Sequence, residues 1–266
     1  MEMSRSPSQD DSMGRLFVVS IGPGDLDNMT PLAKKTVGES DVVIGNGFYL
    51  DQIRPLLDGK KVITSRMGKE VDRAREAVRL AMSAKVAMVS GGDAGVYGMA
   101  SIVLEVAQKE APGLKVSIVP GVTAATAAAS ILGSPLSGDF LVISLSDLLT
   151  PWEVIEKRLR LGFQMGIPMV VYNPRSHNRP GNLHKALGIG LEHARPDVPV
   201  GIVRNAYRGQ EESFAITDLA SLYDDDRMVD MHSVVIIGGE STGLLKEGED
   251  VKGIITPRGY HRKYVY

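Results

Sequence analysis

Three glycine-rich segments each follow a run of apolar residues, and each could bring its backbone close to a ligand. They are residues 22–25 (GPGD), 90–98 (SGGDAGVYG) and 119–125 (VPGVTAA). Glycine has no Cβ, so a ligand can approach the main chain closely at such positions. The second segment also carries a carboxylate, Asp93, which could orient a ligand or could simply be solvated. Together the segments predict a small-molecule site at the ends of strands.

Two other interpretations of these loops stay open on the residues alone. One is a tight turn between a strand and a helix, with Thr123 as a helix N-cap rather than a hydroxyl that faces a ligand. The other is the dinucleotide fingerprint Gly-x-Gly-x-x-Gly. Position 27, where its third glycine belongs, is Asp27, and the helix is expected to begin only with Thr30 as N-cap and Pro31 after it. A pyrophosphate would therefore lack its helix N-terminus, which disfavours a nicotinamide cofactor.

Hydroxyl and carboxylate groups gather in residues 144–153 (SLSDLLTPWE), beside the only tryptophan. We expect Thr150 and Glu153 to form a capping box at the start of a helix. That interpretation leaves Ser146 and Asp147 without a structural role, so both are candidates for chemistry.

Guanidinium groups follow two further predicted strands of the second half. Residues 173–179 include Arg175, His177 and Arg179, and residues 205–210 include Arg208. Arginine binds carboxylates through paired hydrogen bonds, so these loops favour an acidic ligand. A single loop arginine is nevertheless more often just solvated.

The elements that must position these loops alternate between strands and helices. Strands are predicted at residues 16–21, 41–44, 61–64, 86–90, 115–119, 140–144, 169–172, 200–203, 213–216 and 233–237. Helices are predicted at residues 31 onward, 71–83, 99–110, 123–132, 151–161, 182–192 and 218–223. The alternation predicts the α/β class, with two tandem α/β domains, mostly parallel or mixed sheets, and an active-site cleft between them.

Shifts in composition predict where the domains begin and end. Residues 1–13 are polar and are expected to form a disordered tail without a secretory signal. The Pro/Gly-rich stretch 133–138 predicts a boundary between an N-terminal domain, 14–135, and a C-terminal domain, 136–240. The charged, glycine-rich residues 241–266 are expected to be an extension ordered by docking on the body.

The composition excludes several classes of function. The 266 residues include 30 Lys and Arg against 32 Asp and Glu, a net charge of −2, with 5% aromatic residues. Nucleic-acid binding is therefore disfavoured. The absence of cysteine excludes thiolate chemistry and fits a reducing compartment. The longest charge-free run, 116–138, contains Pro, Gly, Ser and Thr, so we predict strand, turn and Ala-rich helix instead of a membrane span. The five histidines show no metal-ligand spacing, so no metal site is expected.

In order and sequence, these loops resemble those of the tetrapyrrole (corrin/porphyrin) methylases, over roughly residues 15–240. The resemblance depends on GPGD at 22–25, GDA at 92–94 with Tyr97, PGVTA at 120–124, and the pairs Tyr172-Asn173 and Asn205-Ala206. Most members have Gly-Asp-Pro where this chain has Gly-Asp-Ala. The segments ISLSDLLTPW (143–152) and TPRGY (256–260) resemble the precorrin-3B C(17)-methyltransferase branch.

The resemblance implies S-adenosyl-L-methionine as cofactor, with S-adenosyl-L-homocysteine as product, folded between the domains and held largely by backbone groups. The implied cofactor residues are Pro23, Gly92, Asp93, Ala94, Tyr97, Thr123, Ala124, Asn173 and Ala206. An acidic tetrapyrrole would be the substrate, with Arg175, His177, Arg179 and Arg208 as its candidate ligands. Asp93, Ser146 and Asp147 are the candidate catalytic residues.

The branch resemblance further implies methylation of C-17 of precorrin-3B or cobalt-factor III, with ring contraction to precorrin-4 or cobalt-precorrin-4. Other enzymes of the same fold, such as another precorrin methylase or a diphthine synthase, stay open as alternatives, as does a non-catalytic sensor of S-adenosylmethionine. A cytoplasmic homodimer that contacts neither membrane nor nucleic acid is the expected form of the protein.

Overall fold

Two compact units make up the chain and divide between Thr123 and Ala124. The computed structural model describes residues 14–66 and 68–265, without the side chain of His261. The division falls earlier than the boundary predicted after residue 135, because the helix that follows it packs on the sheet of the second unit. The predicted tail, 1–13, lies outside the described residues.

The first unit is built on a five-stranded parallel sheet in the order β3-β2-β4-β1-β5. Its strands are β1 (Arg15–Ser20), β2 (Val42–Asn46), β3 (Lys61–Ser65), β4 (Lys85–Ser90) and β5 (Lys115–Val119). The three central strands are almost wholly buried, because helices cover both faces of the sheet. That burial explains their unbroken apolar runs.

Four helices cover the two faces of this sheet, the first two in the chain on one face and the next two on the other. They are α1 (Pro31–Gly38), α2 (Gly47–Gln52), α3 (Glu70–Ala81) and α4 (Ala100–Glu110). One core contains Leu16 and Val18 with residues of α3 and α4; the other contains Val19 with residues of α1 and α2. Alternate β1 side chains thus enter opposite cores, as strand geometry requires. The α2 helix was not predicted, because six residues are too few to show a period.

The second unit contains a mixed sheet in the order β10-β9-β11-β8-β7. Its strands are β7 (Leu141–Ser144), β8 (Met169–Tyr172), β9 (Pro199–Arg204), β10 (Ser213–Asp218) and β11 (Ser233–Ile237). Only β7 and β8 pair in parallel, and β11 runs antiparallel to both of its neighbours. Strands β7, β8 and β9 therefore point in one direction, and their carboxyl ends lie at one edge of the sheet. The two sheets confirm the predicted α/β class with parallel and mixed sheets.

Helices also cover both faces of the second sheet. They are α5 (Ala124–Leu132), α6 (Trp152–Gln164), α7 (Asn182–His193) and α8 (Leu219–Asp224). Residues of α6, α7 and α8 share one core, whereas α5 packs alone on the opposite face against Val170, Val203 and Ile236. The alanines of α5 let it lie close to the strands, and its last residue, Leu132, would be 2.3 Å from a Cβ at Gly201.

The C-terminal residues form a small third sheet with order β12-β13-β6. Strands β12 (Gly243–Glu247) and β13 (Asp250–Ile255) form a hairpin, and β13 pairs in parallel with β6 (Gly133–Ser134). Two buried hydroxyls join it to the body. The Thr242 hydroxyl lies 2.8 Å from that of Thr256, which donates to the Pro135 carbonyl at 2.6 Å. The extension predicted for 241–266 thus docks through strand pairing and buried hydroxyls.

The charge-free run 116–138 is confirmed as strand, turn and alanine-rich helix, since it holds β5 and α5. None of the helices in the described part of the chain has both the length and the apolar character that a bilayer crossing needs.

Candidate active site

The loops after β1 and β4 lie at the topological switch point of the first sheet. The two strands are neighbours, but the chain leaves β1 towards α1 on one face and β4 towards α4 on the other. Open parallel sheets bind ligands in the crevice that such a divergence creates, outside the carboxyl ends of the strands. The first two glycine-rich segments occupy this position.

Reciprocal backbone hydrogen bonds join these two loops. The Gly22 N–H donates to the Gly92 carbonyl at 3.1 Å, and the Gly92 N–H donates to the Gly22 carbonyl at 2.8 Å. Both residues have positive φ, 75° and 64°, which glycine adopts without steric cost. The glycines therefore let the two loops pair with each other.

Two side chains extend this linkage to the loop after β5. The buried Ser20 hydroxyl accepts a hydrogen bond from the Ala94 N–H at 2.8 Å. The Asp93 carboxylate accepts from the Gly95 N–H at 2.8 Å with one oxygen and from the Gly121 N–H at 2.9 Å with the other. Asp93 thus holds the loops after β4 and β5 together. Ser20 was missed by sequence reasoning, although a hydroxyl that ends a buried apolar strand was a usable signal.

Space around these loops is too small for side chains. A Cβ at Gly121 would lie 2.5 Å from the Ser20 Cβ and 2.8 Å from the Gly92 carbonyl oxygen. A Cβ at Gly91 would lie 2.3 Å from the ring of Tyr49. The three loops therefore form one closely packed main-chain surface, which we call the glycine cradle (residues 20–25, 90–98 and 119–123).

Several backbone N–H groups of the cradle already have partners within the protein. Those of Gly22, Gly92, Ala94, Gly95 and Gly121 all donate within the protein. The Ala94 carbonyl likewise accepts from the Ala100 N–H at 2.9 Å, and Ala94 is 1% exposed. The internal bonds fix the shape of the surface, so a ligand would meet a preorganised site.

The remaining predicted cofactor residues of this region differ in exposure. Pro23 is buried, Thr123 and Ala124 are half-buried, and Tyr97 is exposed with a φ of 51°. Thr30 has the predicted N-cap role: its hydroxyl accepts from the Ala33 N–H at 3.1 Å, with Pro31 next in the chain. The N-cap prediction for Thr30 is confirmed.

In the second unit, polar loops follow β7, β8 and β9 at the shared edge of the sheet. The Ser144 hydroxyl accepts from the Asn173 side-chain amide at 2.9 Å and from the Ser146 N–H at 3.2 Å. Ser146 is half-buried at the base of its loop, and Asp147 beside it is exposed. The Ser144 hydroxyl thus joins the backbone at Ser146 to the side chain of Asn173, a predicted cofactor residue.

The helix that follows this loop begins differently from the sequence prediction. Its N-cap is Pro151, and no side chain caps it, so the expected capping box of Thr150 and Glu153 is wrong. Pro151 has an extended ψ of 144°, outside the helical range, so the helix starts one residue later than the motif requires.

Residues in strained backbone conformations concentrate in these loops. The non-glycine residues with positive φ in the described chain are Tyr97, Asn173, Asn205 and Tyr207. All four lie in the loops that follow strands β4, β8 and β9. Such conformations cost energy and persist where the surroundings enforce them, most often at ligand sites. Ala206, a predicted cofactor residue, lies half-buried between the last two.

The predicted substrate arginines have unequal surroundings. Arg175 forms an ion pair with Asp226, and both side chains are largely buried. Arg208 donates to the Asn205 side-chain oxygen at 3.2 Å. Arg179 is half-buried, and its Nε, like that of Arg175, is buried without a hydrogen-bond partner among the described residues. His177 is exposed.

A second ion pair at this edge involves Arg204, whose Nε donates to Asp230 at 2.6 Å. Burial works to raise the pKa of Asp230, but hydrogen bonds from Arg204, the His232 N–H and the Ser233 hydroxyl outweigh it, so the pKa lies below its usual value. The charges of Arg175 and Arg204 are thus already balanced by aspartates. Within residues 14–66 and 68–265, no cluster of His, Cys, Asp or Glu could hold a metal ion.

Comparison with known proteins agrees with this arrangement. Residues 15–223 match the model of the Tetrapyrrole (Corrin/Porphyrin) Methylases. The chain is 41% identical over 246 residues to a probable cobalt-factor III C(17)-methyltransferase of Salmonella typhimurium, covering 92% of this chain and 99% of that protein. It is 42% identical over 253 residues to the cobalamin biosynthesis protein CbiHC of Archaeoglobus fulgidus, covering 95% of this chain. The chain spans 54% of that relative and 46% of a cobalt-factor III methyltransferase of Priestia megaterium, about half of each.

Solved structures have the same fold. The crystal structure of the methyltransferase CobJ superposes with a TM-score of 0.84 at 33% identity, covering 92% of this chain and 100% of that one. The cobalt precorrin-4 methyltransferase CbiF superposes with a TM-score of 0.69 at 20% identity, which supports the fold alone. The chain therefore belongs to the tetrapyrrole methylases.

Proposed function

We propose that the protein transfers a methyl group from S-adenosyl-L-methionine to C-17 of precorrin-3B or cobalt-factor III. Ring contraction would accompany the transfer and give precorrin-4 or cobalt-precorrin-4. Relatives named for this methylation align with more than nine-tenths of the chain at about 40% identity. The observation that carries the proposal is the interlocked glycine cradle at the switch point of the first sheet.

The cradle fits a cofactor because its shape is fixed before any ligand arrives. With no room for a Cβ at Gly91 or Gly121, these loops pack closely against their neighbours, so the main chain that they offer to an adenosine-sized molecule is held in place. The residues that we propose to contact it are Pro23, Gly92, Asp93, Ala94, Tyr97, Thr123, Ala124, Asn173 and Ala206. Of these, Ala94 and Asp93 act mainly by holding the loops. When bound, S-adenosylmethionine supplies an electrophilic methyl group on its sulfonium.

The acidic substrate needs cations that are not already neutralised. Arg175 is paired with Asp226, so we assign it chiefly to holding its loop. Arg179, which forms no ion pair with a described residue, is the strongest candidate for a substrate carboxylate. Arg208 and His177 complete the proposed set. Guanidinium forks suit carboxylates because both hydrogen bonds form at once.

Methylation of a ring carbon followed by contraction requires a base that takes a proton from a substrate oxygen. We propose that Asp147 accepts this proton and that Ser146 orients the substrate oxygen. Asp147 is exposed, and no described residue donates a hydrogen bond to its carboxylate in the structure. Replacing Asp147 by asparagine is expected to lower kcat about 30-fold, because water can partly substitute for an exposed base. Single-turnover formation of the ring-contracted product, followed by mass spectrometry, measures the loss.

Ser146→Ala should lower kcat less than Asp147→Asn. Asp139→Asn is the matched control, since this exposed aspartate precedes β7, whereas Ser146 and Asp147 follow the opposite end of that strand. Full turnover in both Asp147→Asn and Ser146→Ala would remove these residues from the mechanism.

The function itself is tested in two steps on the purified chain. Calorimetry with S-adenosylmethionine should give one binding event per chain, and incubation with cobalt-factor III or precorrin-3B should then give a methylated, ring-contracted product by mass spectrometry. Cofactor binding without transfer would favour a sensor. Transfer to a different precorrin or to a protein substrate would favour another precorrin methylase or a diphthine synthase.

A homodimer in the cytoplasm is the form that we propose for the protein, on the basis of the family resemblance. Sedimentation velocity at micromolar concentration should give a single species of twice the chain mass. A monomer at that concentration would contradict the proposed assembly and leave the proposed reaction unaffected.

A further inference from the structure

Two adjacent leucines after β7 are unusually exposed. Leu148 is 80% exposed and Leu149 is 93% exposed, while every other large apolar side chain in the described chain except Val265 is 61% exposed or less. Single exposed leucines are ordinary on protein surfaces, but neighbouring ones that face water together commonly mark a binding surface. Nothing in the packing of the second unit requires apolar residues at these two positions.

The loop that carries the leucines is anchored firmly at its base. Leu145 is fully buried; its N–H donates to the Tyr172 carbonyl at 2.9 Å, and its carbonyl accepts from the Asn182 side chain at 2.9 Å. Asn182 is itself buried, 5% exposed, at the start of α7. At the other end of the loop, Pro151 occupies the N-cap position of α6. Few residues separate these anchors, so the exposure of the leucines is built into the loop.

The position of the loop indicates which kind of ligand could cover the two leucines. Strands β7 and β8 are parallel, with Ser144 paired to Tyr172, so this loop and the one at 173–181 leave the sheet side by side. The adjoining loop carries Arg179, which is half-buried and forms no ion pair with a described residue. Apolar groups beside a loop with an unneutralised cation suit a ligand that has a broad apolar face fringed by carboxylates.

We propose that Leu148 and Leu149 pack against the flat face of the tetrapyrrole and determine which macrocycle is accepted. This inference rests on the proposed function. Covering the leucines with the substrate removes apolar surface from water, which is favourable in proportion to the area buried. The leucines contribute to substrate affinity and not to methyl transfer itself.

The test is the double variant Leu148→Ser/Leu149→Ser in the full chain. We expect KM for the tetrapyrrole to rise about 30-fold, equivalent to about 2 kcal/mol at 1.4 kcal/mol per tenfold. The dissociation constant for S-adenosylmethionine and the denaturation midpoint should stay unchanged, because both leucines are exposed in the free protein. Leu148→Met/Leu149→Met should restore KM to within about threefold of the unsubstituted chain.

Leu161→Ser is the matched control, since Leu161 is 54% exposed on α6 and no candidate loop includes it. An unchanged KM in the double serine variant overturns the inference. A shift from dimer to monomer in sedimentation with KM unchanged also overturns it and assigns the leucines to a subunit contact. Failure of the unsubstituted chain to methylate any tetrapyrrole is a different result, because it contradicts the proposed function.

Discussion

Replacing Gly121 by alanine is expected to lower the affinity for S-adenosylmethionine at least 300-fold. The added Cβ would lie 2.5 Å from the Ser20 Cβ and 2.8 Å from the Gly92 carbonyl oxygen, and backbone cannot move aside as a flexible side chain can. Relief requires the loops after β1, β4 and β5 to separate, which would break the Asp93 hydrogen bond to the Gly121 N–H. Titration calorimetry with S-adenosylmethionine measures the loss.

The same substitution should destabilise the protein by about 2 kcal/mol, the usual scale for overpacking a close contact. Gly138→Ala is the matched control, because no atom lies within 4 Å of its added Cβ and its φ is not positive. Urea denaturation of the two variants separates folding from binding. Unchanged cofactor affinity in Gly121→Ala would show that the glycine cradle is a structural turn and not the cofactor site.

Much of the first unit follows from its sequence because its strands are buried on both faces. Runs such as LFVV in β1 contain no polar break, and that pattern is typical of strands that are buried on both faces. The edge strands of this sheet, β3 and β5, are also predicted by the sequence, because a turn signal precedes each of them. The α2 helix was missed because its six residues (GFYLDQ) are held by contacts with β2 and by an Asn46 side chain that accepts from the Phe48 N–H at 2.9 Å.

The division between the units could not be predicted from local composition. Residues 133–138 look like a linker, yet Ser134 pairs with β13, and the Pro135 carbonyl accepts from Thr256, more than a hundred residues away. The C-terminal hairpin completes this region, so the linker pattern reflects a strand at the edge of a small sheet. Only long-range pairing decides between the two interpretations.

Candidate site residues were predicted by type and position, but their partners were not. The sequence predicts Arg175 and Arg179 equally as substrate ligands. In the structure, Asp226, on a distant segment, neutralises Arg175 and not Arg179. The sequence predicts that the glycines let a ligand approach the backbone, and the structure shows that N–H groups of Gly22, Gly92 and Gly121 also bind one loop to another. Partner identity depends on strand order, which residue spacing does not contain.

Replacing Asp93 by asparagine is expected to weaken S-adenosylmethionine binding about 100-fold while leaving kcat at saturating cofactor within about fivefold. Both carboxylate oxygens accept backbone N–H groups, from Gly95 at 2.8 Å and Gly121 at 2.9 Å. The asparagine amide would turn a donor towards one of these donors. Loss of a hydrogen bond to a charged acceptor costs about 1.5–3 kcal/mol, which accounts for the expected loss of affinity. Calorimetry and steady-state methyl transfer measure the two quantities separately.

If Asp93 is instead the catalytic base, the opposite pattern is expected. Asp93 could have this role because its carboxylate has lone pairs that the two backbone N–H groups do not use. Asparagine would then leave the cofactor affinity unchanged, lower kcat by 100-fold or more, and abolish the acidic limb of the pH profile. Asp27→Asn is the matched control, because Asp27 is exposed in the same unit and no described residue donates a hydrogen bond to its carboxylate. A lowered affinity with an intact pH profile assigns Asp93 to positioning the glycine cradle and leaves Asp147 as the base to be tested.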